Sequence, residues 1–147
     1  MAKFQISESV EINRPSQTVF QYVSNVSQHP SWRPNLTIRD YSGDPIAVGS
    51  TWSEVTKFMG REMIVNHEVA VLEPGRTIKM KQEGSGVTGF IAMDVAPNTD
   101  DSSTFTLNFD GELTGWIASL AVGILRNQAK KDMKRDLGNL KSTLESS

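Results

Sequence analysis

The sequence predicts an α+β fold, with a curved antiparallel seven-stranded sheet wrapped around a long C-terminal helix. Three observations predict it. Between Phe4 and Leu113, short stretches alternate apolar and polar residues with a period of two, as half-buried strands do. The stretches are joined by short connections rich in Gly, Pro, Asn and Asp, which suits an antiparallel meander and not βαβ crossovers. From Trp116 to Leu144 the period changes: Ile117, Leu120, Ile124, Met133, Leu137, Leu140 and Leu144 recur mostly at every third or fourth position. A helix of that length runs roughly 40 Å at 1.5 Å per residue and needs a broad partner surface. Strands segregated from helices mean α+β, with each layer burying the other's apolar face.

The elements follow in order. Phe4, Ile6, Val10 and Ile12 make an opening strand, and Glu8 falls in phase with them, which fits a bulge or an edge. Asn13-Arg14-Pro15 ends that strand and starts a short helix, with Pro at the first helical position and Asn13 or its neighbour as cap. Val19, Phe20 and Val23 are its buried side. Ser27 to Pro34 holds two prolines, so at most one further helical turn fits, between His29 and Trp32. Strands are then expected at Leu36–Tyr41, Thr51–Met59, Met63–Leu72, Thr77–Gln82, Gly89–Val95 and Thr104–Leu113. Gly43-Asp44-Pro45 and Gly49 punctuate the first gap, and Gly60 makes a tight turn. In Glu73-Pro74-Gly75-Arg76, Pro presets one dihedral and Gly supplies a positive φ. Pro97 to Asp101 is a polar turn. Gly123 interrupts the long helix, where glycine costs about 1 kcal/mol relative to alanine, and predicts a kink or a close approach.

The totals narrow the function. A chain of 147 residues, 37% hydrophobic and 22% charged, is expected to form one domain, 1–147, with a real core. A net charge of -2 gives no footprint for nucleic acid. Zero cysteines exclude disulfides, thiolate metal sites and cysteine nucleophiles. Two histidines, one in a Pro-flanked loop, make a catalytic metal site improbable, and no cofactor is expected. With no apolar N-terminal run and no membrane span, a cytoplasmic home is the expectation.

The motifs in order resemble the START/Bet v 1-like (SRPBCC) superfamily, in particular its bacterial polyketide cyclase/dehydrase and lipid-transport branch. The resemblance rests on Val10-Glu11-Ile12-Asn13-Arg14-Pro15 with the helix Val19-Phe20-Gln21-Tyr22-Val23, and on Pro30-Ser31-Trp32-Arg33-Pro34. It continues through Gly49-Ser50-Thr51-Trp52, the Gly60 hairpin, Val71-Leu72-Glu73-Pro74-Gly75-Arg76 and the terminal helix. It implies the helix-grip fold, with a hydrophobic cavity between sheet and helix that takes lipids, polyketides or similar small molecules. Binding of such a molecule, for transport or sequestration, is the leading expectation. A cyclase, aromatase or dehydratase using the same cavity is the alternative, and a protein-interaction module like the activators of Hsp90 ATPase is a third.

Within that frame the residues offer candidates. Met63, Val65, His67, Val69 and Val71 share one strand face, so His67 looks inward. It is a core histidine held by one hydrogen bond, a group that orients a ligand, or a weak candidate acid/base with no visible partner. Trp52, Glu54, Thr56 and Phe58 share a face, which places Glu54 inward, where a carboxylate must be paired, solvated or protonated. Met80 and Gln82 follow on the next strand, then Phe90, and Phe109 on the last. Trp32, Tyr41 and Trp116 fall near element ends, as core fillers or an aromatic collar. Leu120 and Ile124 complete the expected lining, with the segment Trp116–Ile124 as pocket wall and lid, and Met133–Leu144 as core seal. Gly84-Ser85-Gly86-Val87-Thr88-Gly89 has the letters of a dinucleotide motif, but a strand follows it where the phosphate site needs a helix, so it is a hairpin loop. The basic run Arg126, Lys130, Lys131, Lys134 and Arg135 is expected on a solvated helix face.

Overall fold

A computed structural model describes residues 2–43 and 45–147; Asp44 of the expected loop lies outside them. The chain runs β1 (Ala2–Ile12), α1 (Ser16–Val23), a 3-10 turn (Val26–Ser31), β2 (Thr37–Arg39), β3 (Thr51–Phe58), β4 (Arg61–Glu73) and β5 (Thr77–Gly84). It continues with β6 (Val87–Thr99), β7 (Ser102–Leu113), α2 (Gly115–Ala118) and α3 (Val122–Glu145). The seven strands form one antiparallel sheet in the order β1-β7-β6-β5-β4-β3-β2, so that every pair except β1–β7 is a hairpin neighbour. This is the helix-grip architecture: α3 packs along β1, and α1 lies against β6 and β7.

Alternation built the sheet as expected, with local departures that have physical causes. Pro97 lies within β6, beside a register shift against β7, the kind of place where a strand tolerates a residue without an N–H donor. The register also shifts between Val69 and Val71, and this turns Val71 outward to 39% exposure although His67 and Val69 point in. Gly84 pairs with Val87, and Ser85 and Gly86 take φ of 50° and 84°, so the glycine-rich stretch closes as a two-residue hairpin turn. Gly89 sits opposite Gly111, whose Cα lies 2.5 Å from where a Cβ on Gly89 would stand, so β6 and β7 approach closely there. Pro15 precedes the first helical residue and serves as N-cap, with no side-chain cap from Asn13.

The terminal helix is not continuous. Ser119, Leu120 and Ala121 separate α2 from α3, and Gly123 falls in the first turn of α3 with open space around it. Neither a kink nor a close approach occurs at Gly123; the break lies just before it. The break resets the helical phase. The buried stripe of α3 runs Leu125, Leu137, Leu140 and Leu144, and Ile124 is left 56% exposed.

Candidate functional site

A cavity of about 250 Å³ lies between the concave face of the sheet and α2–α3. Its apolar end is built from β1, β7 and the helices: Phe4, Ile6, Phe109, Leu113, Ile117 and Leu125. Its polar end is built from the row that antiparallel register makes across β3, β4 and β5. Trp52 stands opposite His67, and His67 opposite Gln82. Glu54, two residues along β3 from Trp52, shares the inner face by alternation.

The polar end is a connected network. Arg33, from the Pro-flanked loop after the 3-10 turn, grips Glu54 with two parallel hydrogen bonds: Nη2 donates to Oε1 at 2.8 Å and Nη1 to Oε2 at 3.1 Å. This fork is the strong geometry for a guanidinium and a carboxylate. The Trp52 indole Nε1–H donates to Glu54 Oε2 at 3.1 Å. The His67 and Trp52 rings stack, 8° from parallel with centroids 5.4 Å apart. His67 Nδ1–H donates to the Val65 carbonyl at 3.2 Å, which leaves Nε2 to accept from the Gln82 amide at 2.8 Å. His67 Nε2 is 3.7 Å from Glu54 Oε2.

Electrostatics follow from burial and this wiring. Burial alone would raise the Glu54 pKa, but its neighbours together, Arg33 foremost, outweigh burial and hold the carboxyl well below the usual range. Burial also works against the charge on Arg33, and Glu54 reverses that and raises its pKa. His67 is pushed below the ordinary imidazole value, chiefly by burial and against the pull of Glu54, so it is neutral at physiological pH. Asp136 on α3 also lines the cavity; burial raises its pKa and the Arg33 charge partly opposes this.

Of the residues expected from sequence, Glu54, Phe58, Met63, His67, Gln82 and Phe109 face the cavity together. Trp32 and Met80 do not; they are fully buried in the solid core cluster with Phe105 and Leu137. Trp52 is buried behind the network and acts through Glu54 and His67, with Tyr41 edge-on to its ring at 5.8 Å. Phe90 is 40% exposed on the outer face, because it is out of phase with the inward Ile91 and Met93 on β6; there it packs under Lys79. Trp116 packs under Arg61, Leu120 is half-buried beside the core, and Ile124 faces out, so the expected lid contributes only Ile117 to the lining. The wall provided by α3 extends to Asp136, past the expected limit at Ile124.

Arg33, Asp132, Asp136 and Arg135 are cavity residues that periodicity did not single out. For the two aspartates a signal existed: Asp132 and Asp136 are four apart and flank the stripe residues Met133 and Leu137. For Arg33 the only signal was the need of a buried Glu54 for a counter-ion. Among the described residues no group of three or more His, Asp or Glu side chains is placed to hold a metal, and no helix is long and apolar enough to cross a membrane.

The comparisons agree with this architecture. Residues 3–145 match the family "Polyketide cyclase / dehydrase and lipid transport", and the chain belongs to that family. No curated protein matches the sequence. Among solved structures, the Zhui aromatase/cyclase from a Streptomyces species is similar with a TM-score of 0.78 at 13% identity, over 97% of this chain and 94% of that one. A START superfamily protein from Mycobacterium smegmatis gives 0.79 at 16% identity over 97% of both chains. Norcoclaurine synthase from Thalictrum flavum, solved with dopamine and hydroxybenzaldehyde, gives 0.68 at 15% identity, over 99% of this chain and 89% of that one. At these identities the likeness establishes the fold.

Proposed function

We propose that the chain binds a hydrophobic small molecule in the cavity under α3. The observation that supports this is the cavity itself: an apolar chamber of about 250 Å³ that ends in a few convergent polar groups. An apolar lining supplies affinity, and a few fixed polar groups supply orientation. A module that only docks other proteins has no use for such a chamber. Ala129 lines the cavity from α3, so Ala129→Phe fills it without burying a charge. Native mass spectrometry of protein purified from its host, with thermal-shift measurements on small hydrophobic compounds, tests the reading. A bound or stabilising compound is expected with the native chain and not with folded Ala129→Phe. Equal stabilisation of both proteins would place binding elsewhere.

Asp136 favours a second reading, a cyclase- or dehydratase-type enzyme on the same cavity. A carboxyl whose pKa is raised is suited to donate a proton, and Asp136 borders the chamber that holds neutral His67. Turnover that survives both Asp136→Asn and His67→Gln would remove these two residues from any such mechanism.

A further inference from the structure

We infer that the cavity selects an uncharged ligand that donates a hydrogen bond from a hydroxyl group, and discriminates against the matching carboxylate. This rests on the binding reading above and names the ligand class for the same site.

The charges of the cations at the polar end are already balanced by carboxylates. Both terminal nitrogens of Arg33 face the Glu54 carboxylate. Arg135 lies 3.5 Å from Asp132 and 3.1 Å from Asp136. Lys57 also borders the cavity, but it is exposed, so water and salt screen its charge. A ligand carboxylate would therefore enter beside Glu54, Asp132 and Asp136, lose its hydration, and find no free buried cation in exchange.

Acceptors, in contrast, remain open. Glu54 receives three hydrogen bonds, two from Arg33 and one from Trp52, and a carboxylate has roughly four acceptor positions. Gln82 gives its amide N–H to His67, which leaves its carbonyl oxygen available on the cavity wall. A hydroxyl can donate to either oxygen; an ether of the same shape cannot. The volume adds a size limit. About 250 Å³ falls below the roughly 300–1,000 Å³ of sites for drug-sized molecules, so the occupant is closer to one or two rings than to a two-chain lipid.

Three probes of nearly equal shape test this: 1-naphthol, 1-naphthoate and 1-methoxynaphthalene, titrated calorimetrically at neutral pH into the full chain. Naphthol is expected to bind about tenfold or more tighter than either analogue. Glu54→Gln removes the buried anion and frees Arg33, so in that variant the order of naphthol and naphthoate should reverse. Circular dichroism establishes whether the variant is folded, and if it is not, the ranking in the native chain decides alone. Naphthoate or the ether binding as tightly as naphthol would overturn the inference and leave the binding reading intact. If none of the three binds, the inference falls, and the binding reading is decided by the mass-spectrometric and thermal-shift comparison with Ala129→Phe.

Discussion

Arg33 and Glu54 meet across the mouth of the 3-10 loop and β3 in a two-pronged ion pair, 2.8 and 3.1 Å long, with the Glu54 side chain almost wholly buried. The pair ties the irregular Pro-flanked loop to the sheet, beside the buried Trp32 and Leu36 that anchor the same loop. Arg33→Met leaves a buried carboxylate without a counter-ion, and is expected to cost about 3 kcal/mol in urea unfolding, as the removal of one partner of such pairs does. Adding Glu54→Gln removes the stranded charge yet keeps an acceptor for the Trp52 indole, so the double variant should regain at least half of that loss. A double variant no more stable than Arg33→Met would mean the charge is not what Arg33 offsets.

His29 predicts a distinct response to acid. It is buried, its Nε2–H donates to the Val23 carbonyl at 2.7 Å, and its Nδ1 has no protein partner among the described residues. Burial first, then the Arg33 charge, lower its pKa from 6.5 to about 4, although Glu54 pulls the other way. Between those values the unfolded chain binds a proton that the folded chain refuses, so stability is full above about pH 6.5 and falls as pH drops toward 4. The effect integrates to about 3 kcal/mol. His67 is shifted in the same direction and adds to it. Glu54, whose pKa is depressed, loses its contribution as pH falls from the ordinary carboxylate value downward, so most of its effect lies below that of the histidines. The stability lost on acidification from neutral pH to about 4.5 should be about 2–3 kcal/mol smaller in His29→Gln than in the native chain. An unchanged loss would show that His29 takes up its proton while folded.

The contrast between Glu54 and Arg33 shows where sequence ceased to inform. Strand alternation placed Glu54, His67 and Gln82 on the inner face because a β-strand has only two faces, and the register then brought them together. Arg33 belongs to a loop with two prolines, which has no period, so nothing local aims its side chain. The terminal helix failed differently. Ile117, Leu120 and Ile124 keep helical spacing across a break that no proline marks, and Gly123 drew attention to a point just beyond it. Ile124 was assigned to the cavity by a phase that belongs to α2, whereas α3 buries Leu125. Phe90, expected in the lining, lies on the outer face, and the parity of Ile91 and Met93 on the same strand is the signal that puts it there.

Arg61 and Trp116 form a cation–π contact between two regions that each give a residue to the cavity wall. The Arg61 guanidinium lies over the Trp116 ring, 4.5 Å from its centroid, and joins the β3–β4 hairpin to α2. Phe58 and Ile117, from the same two regions, line the chamber just inside. An exposed cation–π contact is worth about 0.5–1 kcal/mol, so Arg61→Ala should speed ligand release by about two- to fivefold in stopped-flow experiments with 1-naphthol. Arg61→Lys keeps a cation and should lie between the two. Identical release rates in all three proteins would place the exit route elsewhere.

The basic residues of α3 have work beyond solvation, and it concerns β1. This strand is an edge of the sheet, with one row of backbone groups facing away from β7. An open edge is a template for pairing with another chain. Arg126 donates to the Gln5 carbonyl at 2.7 Å and Lys141 to the Glu11 carbonyl at 2.8 Å, so two carbonyls of that row are engaged from within. Lys134 lies 3.9 Å from Glu8 between them. These side chains are exposed, and their loss should cost stability only weakly, about 1 kcal/mol for each hydrogen bond at most. Their larger effect is on association, because without them the edge lies open. The variant Arg126→Ala with Lys141→Ala should therefore self-associate more than the native chain as concentration rises, measured by light scattering after size exclusion, with its circular dichroism unchanged. A variant whose mass matches that of the native chain at every concentration would show that the twist of β1 and the bulk of α3 protect the edge without the two cations.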